Sequence, residues 1–242
     1  MELKVLYEDN HVIVCVKPPG ILSQKGSKPL PDMLTEIKSY LKEKYSKPGN
    51  VFLGLVHRLD LNVGGVMVFA RTSKAASRLS QAIREGQFCK SYFALVEGSL
   101  SLLNPVEMLS DELKKDLEEH IASVDSSGKT AILKYESLAH VTWQKQKGTL
   151  VEITLVTGRF HQIRIQFASR GHPLFNDRKY GASALLKTND IGLWAYRLQF
   201  PHPITREIQF FSFAPEGPLF SPYKKQIEPY LTSDYRTGDN DQ

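Results

Sequence analysis

The chain contains 242 residues, of which 41% are hydrophobic and 24% are charged. This composition is that of an ordinary globular protein and excludes collagen-like, coiled-coil and intrinsically disordered chains. The formal net charge of +5 favours a polyanionic partner, but only weakly. The two cysteines, Cys15 and Cys89, stand far apart without His or Cys at ligand spacing, so neither a disulfide framework nor a metal site is predicted.

The first ten residues carry charges where a signal peptide would be apolar, and no window approaches the ~18 apolar residues that span a bilayer. We therefore expect a cytoplasmic protein with no membrane partner.

The N-terminal quarter predicts two strands and a helix. A polar turn at residues 8–10 separates two short apolar runs, the second over 12–16, which is typical of paired strands. Apolar side chains then recur at helical spacing over residues 30–44, and Asp32 is positioned as the N-cap of this helix.

The next stretch alternates between strand and helix patterns. The continuous apolar run over 66–70 predicts a buried strand, and a helix over 74–85 follows it with Thr72 or Ser73 as its cap. Alternation returns over 88–96, so Tyr92 is predicted to point away from its neighbour Phe93.

Two later segments differ sharply in charge. Residues 105–125 contain seven acidic and two basic side chains, which we interpret as a solvated acidic excursion that does not touch an anionic ligand. Residues 159–180 contain five basic and one acidic side chain and follow a strand over 150–157. A short helix is predicted over 161–170.

Two closing strands are predicted over 194–201 and 207–213. Strands outnumber helices and often follow one another directly, which predicts an α+β fold with a largely antiparallel or mixed sheet and flanking helices. No linker interrupts the chain, so we expect one domain over 1–232 and a polar tail over 233–242.

Common cofactor motifs are missing from the sequence. Gly128-Lys129-Thr130 imitates the end of a phosphate-binding loop, but Ser123 stands where that pattern requires glycine, so a hydrated turn is favoured. Neither a dinucleotide-binding glycine fingerprint nor a zinc-binding or serine-hydrolase motif occurs. We therefore expect no nucleotide cofactor and no metal.

The motif His57-Arg58-Leu59-Asp60 lies just ahead of the predicted buried strand. A loop carboxylate anchored by rigid structure suits catalysis, although such an Asp more often caps a backbone amide. The wider sequence resembles the RluA family of RNA pseudouridine synthases over residues 5–220. Five blocks in the family's order carry the resemblance: LYEDNHVIVCVKPPGIL, HRLDLNVGGVMVFART, KSYFALVEG, VTGRFHQIRIQFASRGHPLFNDRKYG and LWAYRLQFPHP.

The resemblance implies the pseudouridine synthase fold with a central catalytic cleft. It also implies isomerisation of specific uridines in structured RNA, either tRNA or rRNA. In this reaction the N-glycosidic bond breaks, the base rotates and C5 rejoins the sugar, so no redox carrier, metal or other cofactor is required. Many relatives carry an S4-type RNA-binding domain ahead of the catalytic one, whereas here the match starts at once. A monomer without that domain is expected.

The resemblance implies three catalytic residues. Asp60 is the carboxylate that acts at the sugar, either by attacking it or by removing a sugar proton. Arg164 forms the ion pair that keeps Asp60 charged and oriented. Tyr92 is the aromatic residue that holds the uracil ring and, less firmly, the base that removes the C5 proton.

The resemblance also implies RNA contacts, with Arg58 as a wedge that fills the space of the extruded uridine. The predicted RNA-binding residues are His57, Arg58, Arg159, His161, Gln162, Arg170, Arg178 and Lys179. Ile163 and Leu174 are expected as apolar walls of the pocket, and Lys17 as a structural residue.

The sequence departs from its relatives at a few positions. Leu61 stands where they have a polar residue, and Val63-Gly64 replaces a Thr-Ser pair. Trp194 replaces a histidine of the late strand. The resemblance leaves open a non-catalytic RNA-binding protein or RNA chaperone with the same fold; a glycosidic hydrolase is disfavoured because the motifs contain no second acid.

Overall fold

The computed structural model describes residues 2–27, 29–103 and 106–232. The predicted tail over 233–242 and Pro105, the first residue of the predicted acidic excursion, lie outside the described residues.

One mixed sheet dominates the described part of the chain. Its strands are β1 (Lys4–Glu8), β2 (Val12–Lys17), β3 (Gly54–Leu55), β4 (Gly64–Ala70), β5 (Cys89–Glu97), β6 (Glu107–Asp116), β7 (Ile121–Val124), β8 (Lys129–Trp143), β9 (Gln146–Leu155), β10 (Leu193–Pro201) and β11 (Ile208–Ser212). The main order is β1-β2-β4-β10-β5-β9-β8-β6-β7, while β3 pairs with β4 and β11 with β10. Within the described ranges, only β4 and β10 pair in parallel.

Four α-helices flank the described sheet: α1 (Met33–Lys44), α2 (Ser73–Arg84), α3 (Gln162–Ala168) and α4 (Lys224–Thr232). The predicted cap Asp32 accepts a hydrogen bond from the amide of Thr35 at 3.0 Å. Thr72 caps α2 through the amide of Ala75 at 3.1 Å. The third helix begins one residue later than predicted, because His161 adopts a left-handed backbone (φ 51°) that a right-handed helix excludes.

The alternation predicted for β5 is confirmed. Tyr92 belongs to the hydrophobic cluster that packs under α1, α3 and the loop before β4. Phe93 belongs to the cluster on the opposite face, which the C-terminal residues Phe220 and Tyr223 cover. The arrangement of a mixed sheet with flanking helices confirms the α+β fold class.

The segment predicted as a solvated acidic excursion forms β6 and β7 at one end of the sheet instead. Leu109 and Leu113 point into the protein and are buried. Asp111 points the same way and accepts hydrogen bonds from Gln166 of α3 and from Arg170, which follows that helix. A net charge summed over the segment conceals this alternation, because it counts acidic side chains without regard to the face of the strand on which each one lies.

No helix in the described ranges is both long and apolar enough to cross a membrane.

Candidate active site

The loop that carries Asp60 is fixed by hydrogen bonds to a different part of the chain. The Ser23 hydroxyl donates to the carbonyl of Leu59 at 2.8 Å and accepts from its amide at 3.1 Å. The carbonyl of Leu61 accepts from the Lys17 ammonium at 3.1 Å. The residues immediately before and after Asp60 are therefore both fixed by hydrogen bonds, while the Asp60 side chain remains 27% exposed.

Lys17 is fully buried beside this loop. Its ammonium donates to the carbonyls of Pro18, Ile21 and Leu61, which uses all three of its donors. Burial lowers the pKa of Lys17 to about 7, and the negative charges of Asp60 and Asp190 oppose that shift. Lys17 thus joins two loops at the site, as its predicted structural role requires.

Arg164 of α3 lies at the centre of the site. One terminal nitrogen, Nη1, contacts Oδ2 of Asp60 at 3.2 Å and Nε2 of His161 at 2.9 Å. The other edge of the guanidinium forms a two-point ion pair with Asp177, at 2.7 Å from Nε and 2.8 Å from Nη2. The predicted pairing of Asp60 with Arg164 is therefore present as a contact between their side chains.

Asp177 was not predicted as a site residue. Both Asp177 and Arg164 are almost completely buried, at 1% and 4% exposure. A buried guanidinium needs a partner that accepts several of its hydrogen bonds, and the Asp177 carboxylate does this with fixed geometry. One feature of the sequence could have indicated Asp177 as a site residue: it is the lone acidic residue of the strongly basic segment 159–180.

His161 and Tyr180 extend this network toward the sheet. His161 Nδ1 lies 2.9 Å from the Tyr180 hydroxyl, which also accepts a hydrogen bond from the amide of Ala122 in β7 at 2.7 Å. Burial and the neighbouring Arg164 charge lower the pKa of His161 to about 3, so the imidazole is neutral. Tyr180 was also missed, since an aromatic residue three positions after an acid carries no distinctive pattern.

Tyr92 lies on β5 with its side chain buried at 5% exposure. Burial and the negative charge of Asp60 raise the pKa of its phenol, so Tyr92 is protonated at neutral pH. Ile163 and Leu174, the predicted apolar walls, are buried in the same hydrophobic cluster. Leu59 and Val63, which precede and follow Asp60 in the chain, belong to the same cluster, so the Asp60 loop lies against it.

Five of the predicted RNA-binding side chains are exposed: Arg58, Arg159, Arg170, Arg178 and Lys179. Arg159 donates to the carbonyl of Thr130 at 2.9 Å, and Arg178 donates to the carbonyl of Leu186. Each keeps further donors that these single bonds do not use.

Three of the predicted RNA-binding residues make hydrogen bonds or ion pairs within the protein. His57 is buried, and its Nε2 accepts a hydrogen bond from the Val68 amide at 3.1 Å, so it fixes the loop to β4. Gln162 is also buried, and its amide oxygen accepts from the Arg159 backbone at 2.9 Å. Arg170 is held in a two-point ion pair by Asp111, at 2.9 and 3.1 Å, so its guanidinium already has an anionic partner.

In the part of the chain that the structure describes, no group of three or more His, Cys, Asp or Glu side chains is placed to hold a metal ion.

Comparisons with known proteins place the chain in a family. The family model described as RNA pseudouridylate synthase matches residues 11–169. An uncharacterized RNA pseudouridine synthase of Bacillus subtilis, YhcT, is 33% identical over 96% of this chain and 73% of its own length. The dual-specificity RNA pseudouridine synthase RluA of Haemophilus influenzae is 34% identical over 87% of this chain and 92% of its own. The solved structure of human RNA pseudouridylate synthase domain containing 4 has a similar fold, with a TM-score of 0.71, 20% identity and 93% coverage of both chains.

Proposed function

Because the chain belongs to the RNA pseudouridylate synthase family, we propose that Asp60 is the carboxylate that starts its reaction. The protein is an enzyme that isomerises uridine to pseudouridine within RNA. The observation that supports the role of Asp60 is its 3.2 Å contact with Arg164, whose guanidinium is itself fixed by buried Asp177.

Both contacts of the Asp60 carboxylate go to one oxygen. Oδ2 faces Nη1 of Arg164 and, at 3.6 Å, Nε2 of His161. Oδ1 makes no hydrogen bond to any described residue. We assign Oδ1 as the reactive oxygen, because the Arg164 contact to Oδ2 fixes the rotation of the carboxylate while leaving Oδ1 free.

The carboxylate acts at the sugar. Breaking the bond between N1 and C1′ builds positive charge on the ribose, which a neighbouring carboxylate stabilises. Asp60 either attacks C1′ directly or removes a sugar proton, and both steps need the same ionised oxygen. The detached uracil then rotates and C5 bonds to C1′. C5 loses its proton, N1 takes up a proton, and Asp60 returns to its starting state, so the product is an isomer of the substrate.

Tyr92 supports the rotation as an aromatic platform for the uracil ring. Its ring lies in the buried cluster beside Asp60, where water is excluded. Since burial and the Asp60 charge keep the phenol protonated by raising its pKa, Tyr92 would have to lose its proton before it could accept the one from C5. The platform role is therefore the primary one, and the role of base is secondary.

The RNA is a folded tRNA or rRNA from which the uridine is extruded. Arg58 is exposed two residues before Asp60, which suits the wedge that replaces the extruded nucleotide. Arg159, Arg178 and Lys179 flank the site as phosphate contacts. We propose that the protein acts as a monomer in the cytoplasm, where these RNAs are found.

The decisive experiment is Asp60→Asn, which keeps the shape of the side chain and removes its charge. Total RNA labelled with tritium at C5 of uridine, from cells that lack the gene, releases tritium when pseudouridine forms. We expect wild-type protein to release tritium and Asp60→Asn to release none, with RNA binding retained.

Asp125→Asn is the matched control, because the Asp125 side chain is 37% exposed in the turn before β8 and should be dispensable. Activity in the Asp60→Asn protein would refute the assignment. Binding of RNA by wild-type protein without any tritium release would instead indicate a non-catalytic RNA-binding protein.

A further inference from the structure

The hydrogen bonds around His161 fix the positions of its protons. A guanidinium can only donate, so the 2.9 Å contact from Arg164 makes Nε2 of His161 the acceptor. A neutral imidazole carries one proton, which must then be on Nδ1. His161 therefore donates from Nδ1 to the Tyr180 hydroxyl, at 2.9 Å.

The Tyr180 oxygen consequently accepts two hydrogen bonds. The first comes from His161, and the second comes from the backbone amide of Ala122 at 2.7 Å. A phenol oxygen has two acceptor positions and one proton. Both acceptor positions are filled, so the remaining function of this hydroxyl is to donate, and none of its contacts with described residues uses that proton.

The surroundings of Tyr180 place this unused donor at the active site. The guanidinium of Arg164 lies 5.0 Å from the centre of its ring. The charged and titratable groups that face it are Arg164 of α3, His161 at the N-cap of that helix, Asp177 from its own segment and Asp60 from the loop before β4. Burial raises the pKa of Tyr180 to about 12, so the hydroxyl keeps its proton throughout the neutral range.

We propose that the Tyr180 hydroxyl donates a hydrogen bond to an oxygen of the bound uridine, and is a substrate-binding residue of the enzyme. The inference rests on the proposed function of Asp60. Uridine offers oxygen acceptors on its base and its ribose, and it must lie against Asp60 for the reaction to occur. Because two bonds already fix the Tyr180 oxygen, the donor is oriented before the substrate arrives, which lowers the entropy cost of using it.

Ionising Tyr180 distinguishes a role of its hydroxyl as hydrogen-bond donor from a role as acceptor. A tyrosinate still accepts from Ala122 and His161, and accepts more strongly, but it cannot donate. Site-specific incorporation of a fluorinated tyrosine at position 180 lowers the pH at which the phenol ionises. We expect tritium release by this protein to fall as pH rises, within a range where the unmodified protein stays constant.

Two further proteins complete the experiment. Tyr180→Phe should lower kcat/KM for the same labelled RNA by about tenfold or more, the size of a lost hydrogen bond whose partner stays buried. Fluorinated tyrosine at position 223, whose hydroxyl donates to the Thr142 carbonyl at 2.8 Å on the other face of the sheet, should leave the pH profile unchanged.

An unchanged alkaline profile at position 180 would overturn the inference, even if Tyr180→Phe were impaired, because an acceptor that only supports His161 survives ionisation. The proposed function fails differently: Asp60→Asn would then be active, or wild-type protein would release no tritium.

Discussion

At the scale of single residues, a buried guanidinium determines where its neighbours point. Arg164 distributes four of its five N–H groups among Asp177, Asp60 and His161. A lysine could not replace it, because an ammonium lacks the planar edge that pairs with Asp177 at two points. Asp177 therefore fixes the position of Arg164, and Arg164 in turn fixes the position of Asp60.

His57 provides a prediction about acid stability. Burial lowers its pKa to about 3, whereas an unfolded histidine titrates near ~6.5. Between these values the unfolded chain binds a proton that the folded chain does not. The stability that neutral His57 contributes is therefore fully present above about pH 6.5 and is lost as the pH falls toward 3, by up to about 1.4 kcal/mol per pH unit.

We expect His57→Gln, which keeps an acceptor for the Val68 amide, to flatten this dependence. Urea unfolding at pH 7.5 and pH 5 should show that the variant loses less stability than wild type, by up to about 2 kcal/mol. The pKa of His161 is also lowered, but its contribution to the pH dependence of stability is the same in both proteins and cancels in the comparison. Equal losses would contradict the proposed effect of His57 burial on stability, and weaker RNA binding by the variant would support the predicted role of His57 as an RNA contact.

The sequence predicted some members of the site and not others for a physical reason. Asp60, Tyr92 and Arg164 could be predicted because a family resemblance compares residue types at matched positions, and the structure brings Asp60 and Arg164 into contact. His57 and Gln162 occur in the same motifs, but whether a motif side chain faces the ligand or the interior depends on tertiary packing. Asp177 was missed because its importance comes from burial against Arg164, which no local pattern encodes.

At the scale of elements, the parallel pairing of β4 and β10 brings two departures from the family into contact. Gly64 pairs with Trp194, and a Cβ at Gly64 would lie 2.2 Å from Cζ3 of the Trp194 ring. The indole therefore occupies the space that a serine side chain would take. We predict that the residues at these two positions depend on each other; the Val63 amide beside them donates to the Asp60 carbonyl at 3.2 Å.

This dependence predicts the outcome of a double-mutant cycle. Gly64→Ser alone should destabilise the protein by about 1–3 kcal/mol through overpacking. Trp194→His alone should cost about 2–4 kcal/mol, because it leaves a cavity among buried side chains. In the double variant the serine occupies vacated space, so urea unfolding should give a total at least about 1 kcal/mol smaller than the sum of the two.

The matched control combines Gly64→Ser with Phe200→His, a buried aromatic residue of β10 that belongs to a different hydrophobic cluster. The losses in unfolding free energy caused by Gly64→Ser and Phe200→His should be additive. Additivity in the Gly64 and Trp194 pair as well would mean that the two departures are independent.

Elements were predicted well where hydrophobic periodicity was strong, as in α1, α2 and β5. The strands β6 and β7 were missed because the acidic residues of the segment, which lie on both faces of β6 and in the neighbouring turns, dominated its composition. Leu109 and Leu113, four residues apart and both buried, were the signal that charge counting hid. Strand order was not predictable either, since the pairing of β4 with β10 joins residues 130 positions apart.

At the scale of the whole molecule, the net charge of +5 does not say which cationic side chains can bind phosphates. For that purpose, side chains in ion pairs must be distinguished from those without an ion pair. Arg170 is held by Asp111 in a two-point ion pair, and Lys44 and Arg71 both bind Glu8. Arg58 and Lys179 are exposed and make no ion pair with any described residue. The second group can exchange bound salt ions for phosphates, whereas the first would have to break an existing pair.

The affinity for RNA should therefore fall steeply with salt, and single variants should change the slope unequally. With bulk tRNA as the probe, fluorescence anisotropy between about 50 and 200 mM KCl should give a linear plot of log K against log salt. Arg58→Gln and Lys179→Gln should each reduce the magnitude of the slope by about 1, because each removes one phosphate contact. Arg170→Gln should leave the slope unchanged, since its charge is already neutralised by Asp111. A slope near zero for wild type, or an equal effect of all three variants, would mean that RNA is bound through a surface other than the one beside Asp60.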